Sequence, residues 1–123
     1  MNKIKALIID DKKIISDLFD FTLGYSGHII RVANNAQDAL TAVQAEKFDI
    51  VFLDIVMPGK DGVALLEEIK KIAPDLPVVM MSGYSVEDKR NRALALGAVD
   101  CLKKPFEFED VRRVVKDAIG KEI

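Results

Sequence analysis

Short apolar runs alternate with helical periods from one end of the chain to the other. Residues 6–9 (Ala6, Leu7, Ile8, Ile9), 29–32, 50–53 (Ile50, Val51, Phe52, Leu53) and 78–81 (Val78, Val79, Met80, Met81) read as strands, with a weaker candidate at 99–102. Three of these are almost unbroken apolar runs, as expected for strands covered on both faces. Between them, Ala39, Leu40 and Val43 follow helical spacing, as do Leu65, Leu66, Ile69 and Ile72, and later Val111, Val114, Val115 and Ala118. Gly24, Gly27, Gly97 and Gly120 fall at or just past the expected helix ends, where glycine takes left-handed conformations at little cost. Pro74 and Pro77 bracket the connection into the fourth strand. Five strands alternating with five helices predict β-α units and a parallel sheet. Right-handed crossovers then place helices on both faces. The expected fold is one doubly wound α/β domain over residues 1–123.

Composition narrows the function classes. At 123 residues and 50% hydrophobic content the chain can bury one ordinary core. Lys plus Arg is 18 against 20 Asp plus Glu, a net charge of −2. That balance removes the electrostatic basis for direct nucleic-acid binding or for binding an anionic membrane. A lone cysteine, Cys101, suits a reducing compartment, and a lone histidine, His28, argues against a zinc cluster or a Ser-His-Asp triad. No apolar stretch is long enough to span a bilayer, and Asp10 and Asp11 arrive too soon for a signal peptide. A cytoplasmic location is expected.

In a doubly wound sheet, ligands bind beyond the carboxyl ends of the strands. The first strand ends in Asp10-Asp11, the third in Asp54, the fourth in Ser82-Gly83, and the fifth runs into Lys103-Lys104-Pro105. Three carboxylates converging on one edge repel one another unless a cation sits between them. A small hard divalent ion with oxygen ligands is the natural occupant. A hydroxyl and an ammonium opposite complete a cradle for a transferring phosphoryl group. The plainer alternative is turn chemistry, with Asp11 serving only as N-cap of the helix beginning at Lys12 or Lys13.

These residues, Asp10-Asp11, Asp54 in LDIVMPGKDG, Ser82 in MMSGY and Lys104 in LKKPF, together resemble the receiver domain of bacterial two-component response regulators. The resemblance covers essentially the whole chain. It implies a flavodoxin-like sheet of order 2-1-3-4-5. It also implies phosphorylation of Asp54 by a sensor histidine kinase or a histidine phosphotransfer protein, as in a phosphorelay. Asp10, Asp11, Asp54 and the backbone carbonyl of Val56 would hold Mg²⁺, Lys104 would pair with the phosphoryl oxygens, and Ser82 would hydrogen-bond the phosphate. Pro105 resembles the family's cis-proline corner. Such a domain is a phosphoacceptor rather than an enzyme, although it can catalyse its own phosphorylation and dephosphorylation. GAVDCLKKPF is also similar to receivers joined to enhancer-dependent activators, so a downstream effector domain or protein is expected. Stand-alone regulator and excised receiver both fit.

One departure concerns the readout. The family usually places a ring three residues before the site lysine, and here that position is Cys101. Without a ring, the signal is expected to run from Ser82 through Gly83-Tyr84-Ser85 to the fourth helix, with Lys89 and Arg90. Two rival functions are weighed. A Mg²⁺-dependent phosphohydrolase passing through an aspartyl-phosphate wants a second acid two residues after its nucleophile, where Val56 stands. A receiver used only for protein binding would not need the complete acid, hydroxyl and lysine set.

Other features have plain readings. Gly59-Lys60-Asp61-Gly62 matches the G-x-x-G of RNA-binding loops but lacks a helix before it, so it reads as a strand–helix loop. Lys89, Arg90, Arg92, Arg112, Arg113 and Lys116 read as solvated helix faces. The first helix carries two apolar stripes, Ile15-Leu18-Phe19-Thr22 and Ile14-Leu18-Phe21-Tyr25, where one suffices to face the sheet. Ile14 and Leu18, with Pro105 and Phe106, are the expected kinase-facing surface.

Overall fold

The computed structural model describes residues 3–57, 59–83 and 87–123. Pro58, Tyr84 and Ser85, named above in two loops, lie outside the described residues. The strands are β1 (Lys5–Ile9), β2 (Ile29–Ala33), β3 (Ile50–Asp54), β4 (Val56–Met57), β5 (Lys60–Asp61), β6 (Val78–Ser82) and β7 (Asp100–Lys103). The helices are α1 (Lys13–Phe19), α2 (Ala36–Ala45), α3 (Gly62–Ile72), α4 (Glu87–Ala95) and α5 (Phe108–Ile119).

One parallel sheet runs β2-β1-β3-β6-β7, the expected order 2-1-3-4-5 once the two-residue strands β4 and β5 are set aside. Those two form a small antiparallel ladder of their own between β3 and α3. Position in the sheet explains strand composition. Every residue of β3 and β6 is buried, which is why both are apolar until their last residue. At the edge, β2 leaves most of its residues in contact with water and tolerates Arg31.

Two cores follow, one on each face. Leu7, Val51, Leu53, Val78 and Met80 pack under α2, α3 and α4 with Val43, Leu66, Ile69 and Ala93. On the other face Ile8, Ile50, Phe52, Val79 and Met81 meet Phe19 and Leu23, and Val111, Val114 and Val115 of α5. Phe19 is central there, with ring centroids 4.7 Å from Phe52 and 6.0 Å from Phe106.

The structure departs from the expected pattern after α1. The helix widens into a π-helical turn, Asp20–Gly24, in which Tyr25 N donates to the Asp20 carbonyl. Thr22 Oγ1 bonds back to the Leu18 carbonyl at 2.7 Å, a local competition with the ordinary ladder. Phe19, just before this turn, and Leu23, within it, are both buried. Phe21 and Tyr25 face outward and stack on each other at 6.4 Å. Gly24 therefore lies inside this turn and has no left-handed φ, whereas Gly27, Gly97 and Gly120 have one.

The start of the sheet leans on the lone histidine. Ile4 N donates to His28 Nδ1 at 3.0 Å, so the ring must be neutral with its proton on Nε2. Burial, and then the charge of Lys3, push the His28 pKa below its ordinary value. A histidine with a depressed pKa stabilises the fold above its unfolded pKa of about 6.5 and loses that contribution as pH falls through the folded value. We predict that His28→Ala is less stable than wild type by about 1 kcal/mol at pH 7.5. Urea denaturation at a series of pH values should show this gap narrowing towards pH 5.5. A gap independent of pH would contradict the neutral-acceptor geometry.

Candidate functional site

Among the described residues, the polar or charged side chains that are buried are Asp10, Asp54 and Ser82, at 0%, 2% and 5% exposure. All three stand at the carboxyl edge of the sheet: Asp10 follows β1, Asp54 ends β3, and Ser82 ends β6. Ionised groups withdrawn from water need partners, and the edge is built from them. Lys104 Nζ lies 2.7 Å from Asp10 Oδ2 and 3.3 Å from Asp54 Oδ2. Lys12 N donates to Asp10 Oδ1 at 2.9 Å, and Val56 N to Asp54 Oδ1 at 3.1 Å. Lys104 is positioned in turn through Ser82, whose carbonyl accepts the Lys104 amide at 2.6 Å. The Lys104-Pro105 peptide that follows is cis. Lys103 is exposed, so Lys104 is the lysine of the site.

Asp11 is exposed at the rim. It does not cap α1: the N-cap is Lys12, without a side-chain hydrogen bond. Carboxylate oxygens of Asp10, Asp11 and Asp54 lie within 4.8 Å of one another. Three hard anionic oxygens at that spacing suit a divalent cation such as Mg²⁺. Val56, expected as a backbone ligand, presents its amide to Asp54, and the residue is half exposed at the mouth.

The sequence pattern of the response regulator receiver domain matches residues 6–116. The chain belongs to that family. Receiver domains act in two-component signal transduction and are phosphoacceptor switches rather than conventional enzymes. The chain is similar to NtrX from Brucella abortus, with 39% identity and a TM-score of 0.90. It covers 97% of this chain and 27% of that one, so the receiver fold here spans about a quarter of NtrX. Against the isolated NtrX receiver domain the TM-score is 0.88, with 96% and 100% of the two chains covered. A two-component response regulator from Clostridium difficile matches at 28% identity and a TM-score of 0.90, covering 97% and 98%. A response regulator from Burkholderia pseudomallei, solved with a phosphorylated aspartic acid, calcium ion and citrate, matches at 27% identity and a TM-score of 0.82, covering 89% and 64%.

Two residues of this receiver edge were missed in the sequence. Lys12 Nζ stands 3.4 Å from Asp11 Oδ1 and 3.5 Å from Asp54 Oδ2. Partial burial works to lower its pKa, but the carboxylates of Asp54, Asp11 and Asp10 outweigh this and raise it. The clue was adjacency to Asp10-Asp11, yet only the path of the chain decides whether the stem turns over the site or into water. The second residue is Gly62. A Cβ there would collide with the Asp54 carbonyl oxygen and come within 2.7 Å of Ile55 Cα. Gly62 N also donates to the Ile55 carbonyl at 2.9 Å. The first residue of α3 thus lies directly on the backbone that carries Asp54, and Asp61 caps the helix by accepting from Val63 N.

The remaining expectations divide. Cys101 is half-buried; burial pushes its thiol pKa up, and a hydrogen bond from Arg90 only partly opposes this. It is therefore a protonated small side chain rather than a reactive thiolate. Most of the basic residues on α4 and α5 have acidic partners: Lys89 with Asp61, Arg90 with Glu87, Arg112 with Glu109, Arg113 with Asp100 and Lys116 with Glu122. Phe106, expected on the partner surface, is instead packed against Phe19.

Because backbone atoms have no rotamer to yield, Gly62→Ala should cost about 2 kcal/mol of stability. Denaturant midpoints of the two proteins measure this directly. Indistinguishable midpoints would mean that α3 can shift off β3 freely.

Proposed function

We propose that Asp54 accepts a phosphoryl group from a phosphohistidine on a sensor kinase or phosphotransfer protein. The observation that carries this is the burial of Asp54 beside Asp10, with the Lys104 ammonium in contact with both. An Asp54 oxygen forms the bond to phosphorus as the phosphorus–nitrogen bond to the donor imidazole breaks, and the imidazole leaves with a proton. A carboxylate oxygen carries no proton to be removed as it attacks, so no general base is needed. Lys104 neutralises charge building on the phosphoryl oxygens, and Ser82 donates its hydroxyl to one of them. Mg²⁺ held by Asp10, Asp11, Asp54 and the Val56 carbonyl would supply a further positive charge for the transferring group. The phosphorylated aspartic acid and calcium ion of the Burkholderia pseudomallei regulator support this assignment. Hydrolysis of the acyl phosphate by water at the same site returns Asp54 to its starting state.

The partner surface proposed is Ile14 and the exposed flank of Leu18 on α1, with Pro105, on the rim beside the acidic edge. Ile14 is 76% exposed, and no core contact accounts for it. Output passes to an effector domain or protein, as the larger size of NtrX suggests. A cytoplasmic location is proposed with it, where the free thiol of Cys101 is stable; no described helix is long and apolar enough to cross a membrane.

Incubation with acetyl phosphate and Mg²⁺ should add one phosphoryl group by intact mass, and Asp54→Asn should abolish the addition. Labelling that persists in Asp54→Asn would overturn the assignment.

Ile14→Ser should slow transfer from a phosphohistidine donor protein about tenfold, as loss of an apolar anchor does. Acetyl phosphate labelling should be spared. Equal loss of both reactions would point to damage in the fold.

A further inference from the structure

Lys12 has no part in the reaction above, yet its ammonium stands on the same carboxylates. It approaches Asp54 Oδ2 at 3.5 Å, an oxygen that Lys104 also approaches at 3.3 Å. The two lysines differ in surroundings: the Lys104 side chain is 13% exposed, and that of Lys12 is 55% exposed. A lysine on a buried stem is held in place. One on an exposed four-carbon stem can swing its strongly hydrated head into water at little cost. The Lys12 backbone stays put in either case, because its amide is bonded to Asp10 Oδ1.

We infer that Lys12 is an internal competitor for the divalent cation, occupying the oxygens of Asp11 and Asp54 until an ion displaces it, and so sets the ion affinity of the site. The inference rests on the ion-binding reading proposed above. Its ground is that Lys12 stands on Asp11 and Asp54, two of the three carboxylates whose oxygens lie within 4.8 Å of one another. An ion ligated at about 2.1 Å by the carboxylates that Lys12 touches would meet the ammonium as a like charge at close range. Charge counting points the same way. The three carboxylates with Lys104 leave a site charge of −2, which a divalent ion cancels and Lys12 only halves. With the ion bound, Lys12 is surplus; without it, Lys12 relieves repulsion between Asp11 and Asp54. Lys13 has no such place, since its ammonium is on Asp17 at 2.9 Å with the side chain almost wholly in water.

The test is Mg²⁺ titration of the whole chain, unphosphorylated, followed by calorimetry and by melting temperature. Lys12→Ala and Lys12→Gln should bind Mg²⁺ roughly three- to tenfold more tightly than wild type. Both should melt lower than wild type in EDTA, and Lys12→Arg should stay close to wild type in both readouts. Lys13→Ala, which removes the same charge one residue away, should leave the affinity unchanged. Wild-type affinity in both Lys12→Ala and Lys12→Gln would overturn the inference, as would equal tightening in Lys13→Ala, which would make it an effect of net charge. If neither wild type nor the Lys12 variants bound Mg²⁺, the ion-binding reading itself would fall.

Discussion

Two carboxylates at the ends of neighbouring strands, both shut away from water, set the terms for the rest of this molecule. Asp10 and Asp54 are reached by one shared ammonium, Lys104, and each also accepts from the backbone amide two residues further along the chain. Losing one partner of such a group is far more costly than breaking a surface ion pair, because the charge left behind has no water to replace it. The β1–α1 and β3–β4 turns are therefore shaped by charge rather than by turn propensity. The path after β7 is tied to the same pair, since Lys104 must leave the strand with its amide on the Ser82 carbonyl.

The sheet was legible because its strands are buried on both faces, so that β3 and β6 could hardly be mistaken in the sequence. The residues at their ends were legible for the same reason: a polar side chain closing an apolar run has to lie at the sheet edge. What lay hidden depends on the third dimension alone. No local signal distinguishes a helix that continues from one that widens at Asp20, where Tyr25 N reaches back to the Asp20 carbonyl. Phe106 reads as an exposed ring in a loop until Phe19 is seen to lie 6.0 Å away. Lys12 and Gly62 sit in stretches that read as helix start and loop, and their meaning lies in what comes against them.

Around the half-buried Cys101, the links between α4 and its neighbours are polar. The charge of Arg90 on α4 acts on the Cys101 thiol of β7, while Glu87 pairs with the same guanidinium from its own helix. Lys89, one residue earlier, faces Asp61 at the N-terminus of α3. The fourth helix is thus tied to both its neighbours by polar groups, and by little apolar area, Ala93 being its buried residue.

The seat of Gly62 against β3 also bears on how such a chain can be lengthened or joined to others. Ile55 and Gly62 are held backbone to backbone, so any change that moves Gly62 away from β3 also moves the start of α3 off the strand that carries Asp54. Residues 46–49 and 73–77, the connections leading into β3 and β6, lie at the opposite end of the sheet. Extra loops, tags or whole inserted modules belong there, where they lengthen the molecule away from the acidic edge and leave its chemistry untouched.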